Sequence, residues 1–181
     1  MKLIVLDRDG VINHDSDNYI KSPEEFIPLA GSIDAIARLC HAGYTVVVAT
    51  NQSGIARKLF DMATLQKMHD KLNRLLAAAG GRIEAIFFCP HGPDDHCDCR
   101  KPGTGMLKDI ARRFQTNLHG VPVVGDSYRD VEAARAMGAQ PVLVRTGKGE
   151  RTLMSGKDLT EVPVFDDLAA YVDHLLNHGS R

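Results

Sequence analysis

Five short apolar runs divide this chain, and each ends abruptly in polar residues: Leu3–Leu6, Tyr44–Ala49, Ile83–Phe88, Val121–Val124 and Pro141–Val144. Runs of this length without polar alternation suit strands buried on both faces. Between them lie stretches with apolar residues at helical spacing. Ile33, Ile36, Ala37 and Cys40 follow Ser32, a candidate cap, and stop at Gly43. Leu65, Met68, Leu72, Leu75 and Leu76 mark a longer helix over Ala63–Ala79, ended by Gly80-Gly81. Helical patterns over Met106–Phe114, Val131–Met137 and Asp167–Leu176 complete the set. This alternation predicts an α/β fold, a Rossmann-like three-layer sandwich with a parallel sheet between two helical layers. At 181 residues, one domain over 1–181 is the expectation. The segment Asn13–Ala30 is too short for a separate cap domain.

Ligands of such folds collect at the carboxyl ends of the strands, so the residues that follow each run matter most. Asp7-Arg8-Asp9-Gly10 follows the first run and Thr50-Asn51-Gln52-Ser53-Gly54 the second. A Cys/His loop closing on Arg100-Lys101-Pro102 follows the third, and Gly125-Asp126-Ser127 the fourth. Asp7, Asp9 and Asp126 on one edge would repel one another without a cation among them. Hard oxygen ligands suit Mg2+, which retains waters and binds phosphate oxygens. Thr50, Asn51 and Lys101 offer a hydroxyl, an amide and an ammonium to the remaining phosphate oxygens. Phosphoryl transfer requires mainly positioning and charge neutralisation. A single Asp after a strand is often only a cap or turn residue; the coincidence at four strand ends is what points to chemistry. Gly147-Lys148-Gly149, after the last run, either reaches the same edge or is a plain turn.

Residues 89–99 read Cys-Pro-His-Gly-Pro-Asp-Asp-His-Cys-Asp-Cys and carry no apolar periodicity. Three thiols and an imidazole in one short loop suit a closed, tetrahedral structural Zn2+ site. Cys89, His91, Cys97 and Cys99 are the expected ligands, with His96 the alternative to His91. Metal binding would fold a loop that has no core of its own and fix the direction of Arg100 and Lys101. Cys40, on the apolar side of its helix, reads as core.

Composition excludes other classes. The formal net charge is -1, and no Lys/Arg block marks a nucleic-acid face. The N-terminal apolar run is too short for a secretory signal or a membrane span, so no nucleic-acid or membrane partner and a cytoplasmic location are expected.

In their order and spacing, strand-then-DRDG, strand-then-TN, a downstream Lys and strand-then-GD resemble the four motifs of the haloacid dehalogenase superfamily, over residues 3 to about 130. The resemblance implies an aspartyl-phosphate phosphatase. Asp7 would be the nucleophile and Asp9 the acid and base. Asp7, Asp9 through its backbone carbonyl, and Asp126 would hold Mg2+. Thr50 and Lys101 would bind the transferring group. Asp130 would be either outer shell to the metal or a plain helix N-terminal acid. The Cys/His loop, with Asn51-Gln52-Ser53-Gly54-Ile55-Ala56-Arg57 and Arg100-Lys101-Pro102-Gly103, resembles the heptose bisphosphate and histidinol phosphate phosphatase branch. The first of these implies cleavage of the C7 phosphate of a heptose 1,7-bisphosphate, a step toward bacterial surface polysaccharide; histidinol phosphate is the alternative substrate. A DNA 3′-phosphatase or a nucleic-acid-binding zinc module is the reading the charge disfavours. Arg100 is the candidate to grip the substrate outside the reacting phosphate, with Gln52 and Ser53 along the wall. Asp15 and Tyr19 are substrate-facing or surface residues. Three departures from many relatives stand out: the gap between His91 and Cys97 is shorter, Lys58 replaces a common Gly, and Ser127 replaces a Lys, with Arg129 the candidate substitute. A monomer is expected.

Overall fold

The computed structural model describes residues 1–179. In chain order the first elements are β1 (Lys2–Leu6), α1 (Ser32–His41), β2 (Tyr44–Asn51), α2 (Met62–Ala78), β3 (Ala85–Cys89) and α3 (Gly105–Arg113). They continue with β4 (Pro122–Gly125), α4 (Tyr128–Ala136), β5 (Gln140–Val144), α5 (Gly149–Met154), β6 (Val164–Phe165) and α6 (Leu168–His178).

Strand residues two apart share a face, and that rule sorts the helices into two layers. Ile4, Leu6, Val46, Val48, Val142 and Val144 pack with Ile36 and Leu39 of α1, Leu65, Met68, Leu72 and Leu76 of α2, and Leu168 and Val172 of α6. Leu3, Val5, Val47, Ala49 and Val123 pack instead with Met106, Leu107 and Ile110 of α3 and Ala133 and Ala134 of α4. Being apolar on both faces, the strands can sit only between two helical layers, as their unbroken hydrophobicity predicts.

The sheet order is β3-β2-β1-β4-β5-β6, with every neighbouring pair parallel. The chain begins in the middle, winds to one edge, then returns to lay β4 beside β1. The winding direction reverses between those two strands, which opens a crevice outside their carboxyl ends. Asp7 and Asp126, the residues after β1 and β4, flank it. The Asp7 N–H donates to the Val124 carbonyl at 2.9 Å, which ties the two strand ends together.

Local signals account for most element ends. Asp61 caps α2 by accepting from the Thr64 N–H at 2.8 Å, and Asp167 caps α6 through the Ala170 N–H at 2.8 Å. Ser32 differs from expectation. It is the first residue of α1, preceded by Gly31 at φ 82, and its hydroxyl donates to the Val11 carbonyl at 2.9 Å. That bond pins α1 to the loop after β1 instead of capping the helix. Strand β2 continues past the apolar run, because Thr50 and Asn51 pair with Phe88 and Cys89 of β3. The elements α5 and β6 had no sequence reading; six and two residues are too few to show a period. Cys40 lies at the margin of the core, half-buried, with its Sγ donating to the Arg82 carbonyl at 3.2 Å. Among the described residues, no helix or strand is inserted between β1 and α1, and no helix is long and apolar enough to cross a membrane.

Candidate active site

At the reversal point two carboxylates, Asp7 and Asp130, share the Lys101 ammonium, and a third, Asp126, lies beside them. Lys101 is 5% exposed. Its Nζ donates to Asp130 Oδ1 at 2.6 Å and to the Ala49 carbonyl at 2.9 Å, and lies 3.2 Å from Asp7 Oδ1. Burial opposes that charge, but Asp130 and Asp7 outweigh it and hold Lys101 protonated. Asp7 is pushed up to about 7, chiefly by burial, against the pull of Lys101 and with the repulsion of Asp130 and Asp9 added. Asp126 is held well above the usual carboxylate range by burial and by the charges of Asp7 and Asp130. Oxygens of Asp7, Asp126 and Asp130 lie within 4.8 Å of one another. A single ammonium leaves this cluster short of positive charge, and a hard divalent cation fits the deficit.

The carboxylates are not equivalent. Asp130 has both oxygens engaged, one by Lys101 and the other by the Ser127 N–H at 3.1 Å and hydroxyl at 3.0 Å. It therefore orients Lys101 and closes the first turn of α4, the helix N-terminal role that the sequence offered for it. Asp7 and Asp126 each spend one oxygen on protein donors, Asp126 Oδ2 accepting from the Lys148 N–H at 2.8 Å. Glycines make room for that arrangement. Gly10 and Gly147 have φ 87 and 58, and a Cβ on either would fall 2.0 or 2.3 Å from Asp126 Oδ2. Gly147 and Lys148 thus belong to the site, and the turn reading of that segment is too plain.

Asp9 is held by its own strand end. Its Oδ1 accepts from Arg8 Nε at 2.9 Å and Asn13 Nδ2 at 2.8 Å, and its Oδ2 from Gln52 Nε2 at 3.2 Å. Burial favours the neutral acid, but Arg8 and the hydrogen bonds from Asn13, Arg8 and Gln52 keep its carboxyl below the usual range. Gln52 also donates to Thr50 Oγ1 at 3.0 Å. It lines the cavity, as expected of a wall residue, and there touches Asp9 and Thr50. Asn51 takes another engagement than the expected phosphate contact. Its Oδ1 accepts from the Lys101 N–H at 2.9 Å and its Nδ2 donates to the Lys101 carbonyl at 3.1 Å. This two-point clasp fixes the backbone that carries the buried ammonium.

The register of β2 on β3 places Asn51 beside Cys89, so the clasp and the Cys/His loop start from adjacent residues. Cys89, His91, Cys97 and Cys99 converge, and His96 stays outside the group, exposed at φ 52. Cys89 Sγ lies 3.7 Å from Cys97 Sγ, close to the about 3.8 Å expected between sulfurs of tetrahedral zinc. His91 Nδ1 lies 3.2 Å from Cys99 Sγ, and the Cys89–Cys99 pair is tighter, at 2.7 Å. All three are free thiols. The donor set is that of a closed soft-metal site.

The wider comparisons agree with this geometry. The HAD-hyrolase-like family model matches residues 98–171. The D-glycero-beta-D-manno-heptose-1,7-bisphosphate 7-phosphatase of Pseudomonas putida is 60% identical over 97% of this chain and 100% of its own. Its counterpart from Neisseria meningitidis serogroup A is 51% identical over 99% of this chain and 97% of its own. The crystal structure of D,D-heptose 1,7-bisphosphate phosphatase from Bordetella bronchiseptica, complexed with magnesium and phosphate, superposes with a TM-score of 0.96 at 59% identity, covering 98% of this chain and 99% of that one. The chain belongs to the heptose-1,7-bisphosphate 7-phosphatase family. It is thus a phosphatase of the haloacid dehalogenase-like hydrolases, as its motifs predict.

Seen as a member of this phosphatase family, the chain has a cavity with two parts. It encloses about 360 Å3, with Asp7, Asp9, Thr50, Lys101 and Asp126 at its base. The rim carries Arg57, Arg100 and Arg129, with Ser53, Tyr19 and Asp15. Ion pairs around the cavity occupy Lys101, Lys148 and Arg151 and leave those three arginines without one among the described residues. Burial, then Arg129 and Arg57, push the Arg100 guanidinium below its ordinary range, so the rim is short of negative charge. Arg57 stacks over the Tyr19 ring, 5.4 Å from its centroid. Asp15 pairs with Lys148 Nζ at 2.5 Å, which spends part of its capacity on the fold. Arg57 went unassigned in the sequence because a loop cation has no distinguishing pattern. Lys58 adopts φ 59, the left-handed region that Gly enters without steric cost.

Proposed function

We propose that this chain removes the C7 phosphate of D-glycero-β-D-manno-heptose 1,7-bisphosphate by way of a phosphoryl group carried on Asp7. One observation supports this above the others: a cavity with a carboxylate–ammonium cluster at its base and three unpaired guanidiniums at its rim. A bisphosphate supplies an anion to each end. Histidinol phosphate would bring an ammonium to the arginine rim and meet like charge.

Asp7 attacks phosphorus in line with the bond to the C7 oxygen, and that bond breaks. Asp9 gives its proton to the departing oxygen; an arriving phosphate dianion raises the affinity of Asp9 for that proton. Asp9 then takes a proton from water, which attacks the phosphoryl group and frees Asp7 and inorganic phosphate. Lys101 and Thr50 hold the transferring oxygens, and Asn51 and Asp130 hold Lys101 in place. Asp7 and Asp126, with the Asp9 backbone carbonyl, are the residues to hold Mg2+, which when bound neutralises charge on the transferring group. Arg100, Arg57 and Arg129 take the distal phosphate.

Cys89, His91, Cys97 and Cys99 are the residues for a structural Zn2+ that orders the loop carrying Arg100 and Lys101. Free clustered thiols suit a reducing compartment, and we place the reaction in the cytoplasm. We expect the chain to act as a monomer.

The test is phosphate release in Mg2+ buffer, with and without chelator, from both anomers of heptose 1,7-bisphosphate, histidinol phosphate, fructose 1,6-bisphosphate and a 3′-phosphorylated oligonucleotide. The β-heptose compound is expected to lead in kcat/KM, with the activity lost on chelation. A lead for histidinol phosphate would overturn the substrate, and no Mg2+-dependent release from any compound would overturn the chemistry.

A further inference from the structure

Beneath the site lies a fully buried arginine that the proposed mechanism does not use. Arg8 is 0% exposed although it stands between two residues of the cavity base. Its guanidinium carbon lies 5.3 Å from the Phe26 ring centroid, and its Nη1 lies 3.9 Å from Met68 Sδ. Burying a charge this way is costly unless it is paired. Nε and Nη2 both face Asp9 Oδ1, at 2.9 and 2.8 Å, although Nη2 lacks the alignment of a hydrogen bond. The remaining nitrogen, Nη1, meets His69 Nε2 at 3.2 Å.

His69 projects from α2 and is 5% exposed. Guanidinium nitrogens only donate, so Nε2 must accept, and the ring is the neutral Nδ1–H tautomer. Burial first, then the neighbouring guanidinium, push His69 down to about 4, with Asp9 and Asp70 opposing. The imidazole thus stays an acceptor at neutral pH. The chain His69–Arg8–Asp9 runs from the hydrophobic layer to the cavity and ends on one oxygen of Asp9. With Oδ1 saturated by Arg8 and Asn13, Oδ2 is left for the reacting proton, with only the longer Gln52 contact to displace.

We propose that His69 and Arg8 are positioning residues for the acid–base step: the imidazole fixes the guanidinium, and the guanidinium fixes the carboxyl of Asp9 with Oδ2 aimed at the leaving group. This rests on the reading of Asp9 as the general acid.

The test compares His69→Asn with His69→Gln. Gln places an amide oxygen near the position of Nε2 and keeps the acceptor; Asn is too short to reach Arg8. The readout is kcat/KM, which reports steps up to phosphoryl transfer, for a series of aryl phosphates and for whichever alkyl phosphate the enzyme cleaves fastest. Aryl leaving groups depart without a proton, whereas alkoxides need one. For His69→Asn, kcat/KM with the alkyl ester is expected to fall at least about 10-fold more than with p-nitrophenyl phosphate, part of the 10²–10⁴ that acid–base catalysis supplies. His69→Gln should restore the parent ratio. Equal losses on both substrates, no loss, or a variant that fails to fold would mean that the imidazole is structural only, and would overturn the inference. Asp9→Asn separates the two claims. If it leaves the alkyl-to-aryl ratio unchanged, the acid role itself fails; if it shifts the ratio and His69→Asn does not, only the positioning claim fails.

Discussion

Replacing Gly147 by alanine should damage metal binding more than folding, and the structure sets the size of both effects. Gly147 has φ 58, and Gly156, in a neighbouring turn, has φ 75 with nothing within 4 Å of a built Cβ. Alanine at either site incurs the left-handed penalty of about 1–2 kcal/mol. At Gly147 the new carbon would also fall 2.3 Å from Asp126 Oδ2 and 2.5 Å from Gly10 Cα, where ordinary contact begins near 3.4 Å. Something must shift by about 1 Å, and the bond from the Lys148 N–H to Asp126 goes with it. Overpacking adds about 1–3 kcal/mol and the lost bond about 1. The expectation is about 3–6 kcal/mol for Gly147→Ala against about 1–2 for Gly156→Ala. At roughly 2–4 °C per kcal/mol for a chain of this size, the drop in Tm is about 6–24 °C against about 2–8 °C. Magnesium tolerates little departure from octahedral geometry, so a displaced Asp126 should raise the Mg2+ concentration for half-maximal phosphate release by about 10-fold or more. The assay is Mg2+ titration of phosphate release for parent and both variants at a temperature where all are folded. A midpoint for Gly147→Ala within about twofold of Gly156→Ala would refute the claim that Gly147 makes room for a metal-binding carboxylate.

Other expectations follow from the same contacts. Asn51→Ala removes two hydrogen bonds to the Lys101 backbone and should cost about 1–3 kcal/mol of stability and lower kcat; weakened inorganic-phosphate affinity at an unchanged Tm would instead make Asn51 a phosphate donor. Protein purified without chelator should hold about one Zn per chain, and Cys97→Ser should lose it together with most of the kcat/KM; a metal-free variant with parent activity would remove the loop from the account. Stabilisation by Mg2+ should grow with pH. Asp7 is pushed up to about 7 in the folded chain, above its unfolded value of about 3.9, so the metal-free protein loses stability as pH rises from about 4 through 7. The rise in Tm on adding Mg2+ is therefore expected to be larger at pH 8 than at pH 5.5, and an equal or smaller rise would contradict it.

The layers were legible because each strand is apolar on both faces and each main helix carries a stripe: Val46-Val47-Val48 can only lie between two helical sheets, and Leu65, Met68, Leu72 and Leu76 can only face one. The base of the site was legible because carboxylates, a hydroxyl and a lysine at strand ends have little other reason to coincide. What sequence did not disclose was how side chains divide the work. Asn51 and Gln52 are short polar residues with both donors and acceptors, and nothing in their order says which neighbour will claim them; the register of β2 on β3 and the return of Lys101 decide it. Arg8 and His69 lie 61 residues apart, and their pairing needs the fold. Gly147 looked like a turn because its reason, the carboxylate of Asp126, arrives from another strand.

The central claim is that phosphate passes through Asp7. The direct measurement is acid quenching of the enzyme within its first turnovers on heptose 1,7-bisphosphate, followed by peptide mass spectrometry. The account predicts one phosphoryl group on the peptide containing Asp7, labile at neutral pH, absent without Mg2+ and absent in Asp7→Asn, which should also release no phosphate. Steady-state turnover with no phosphorylated peptide under any quench, or a phosphoryl group on another residue, would contradict it.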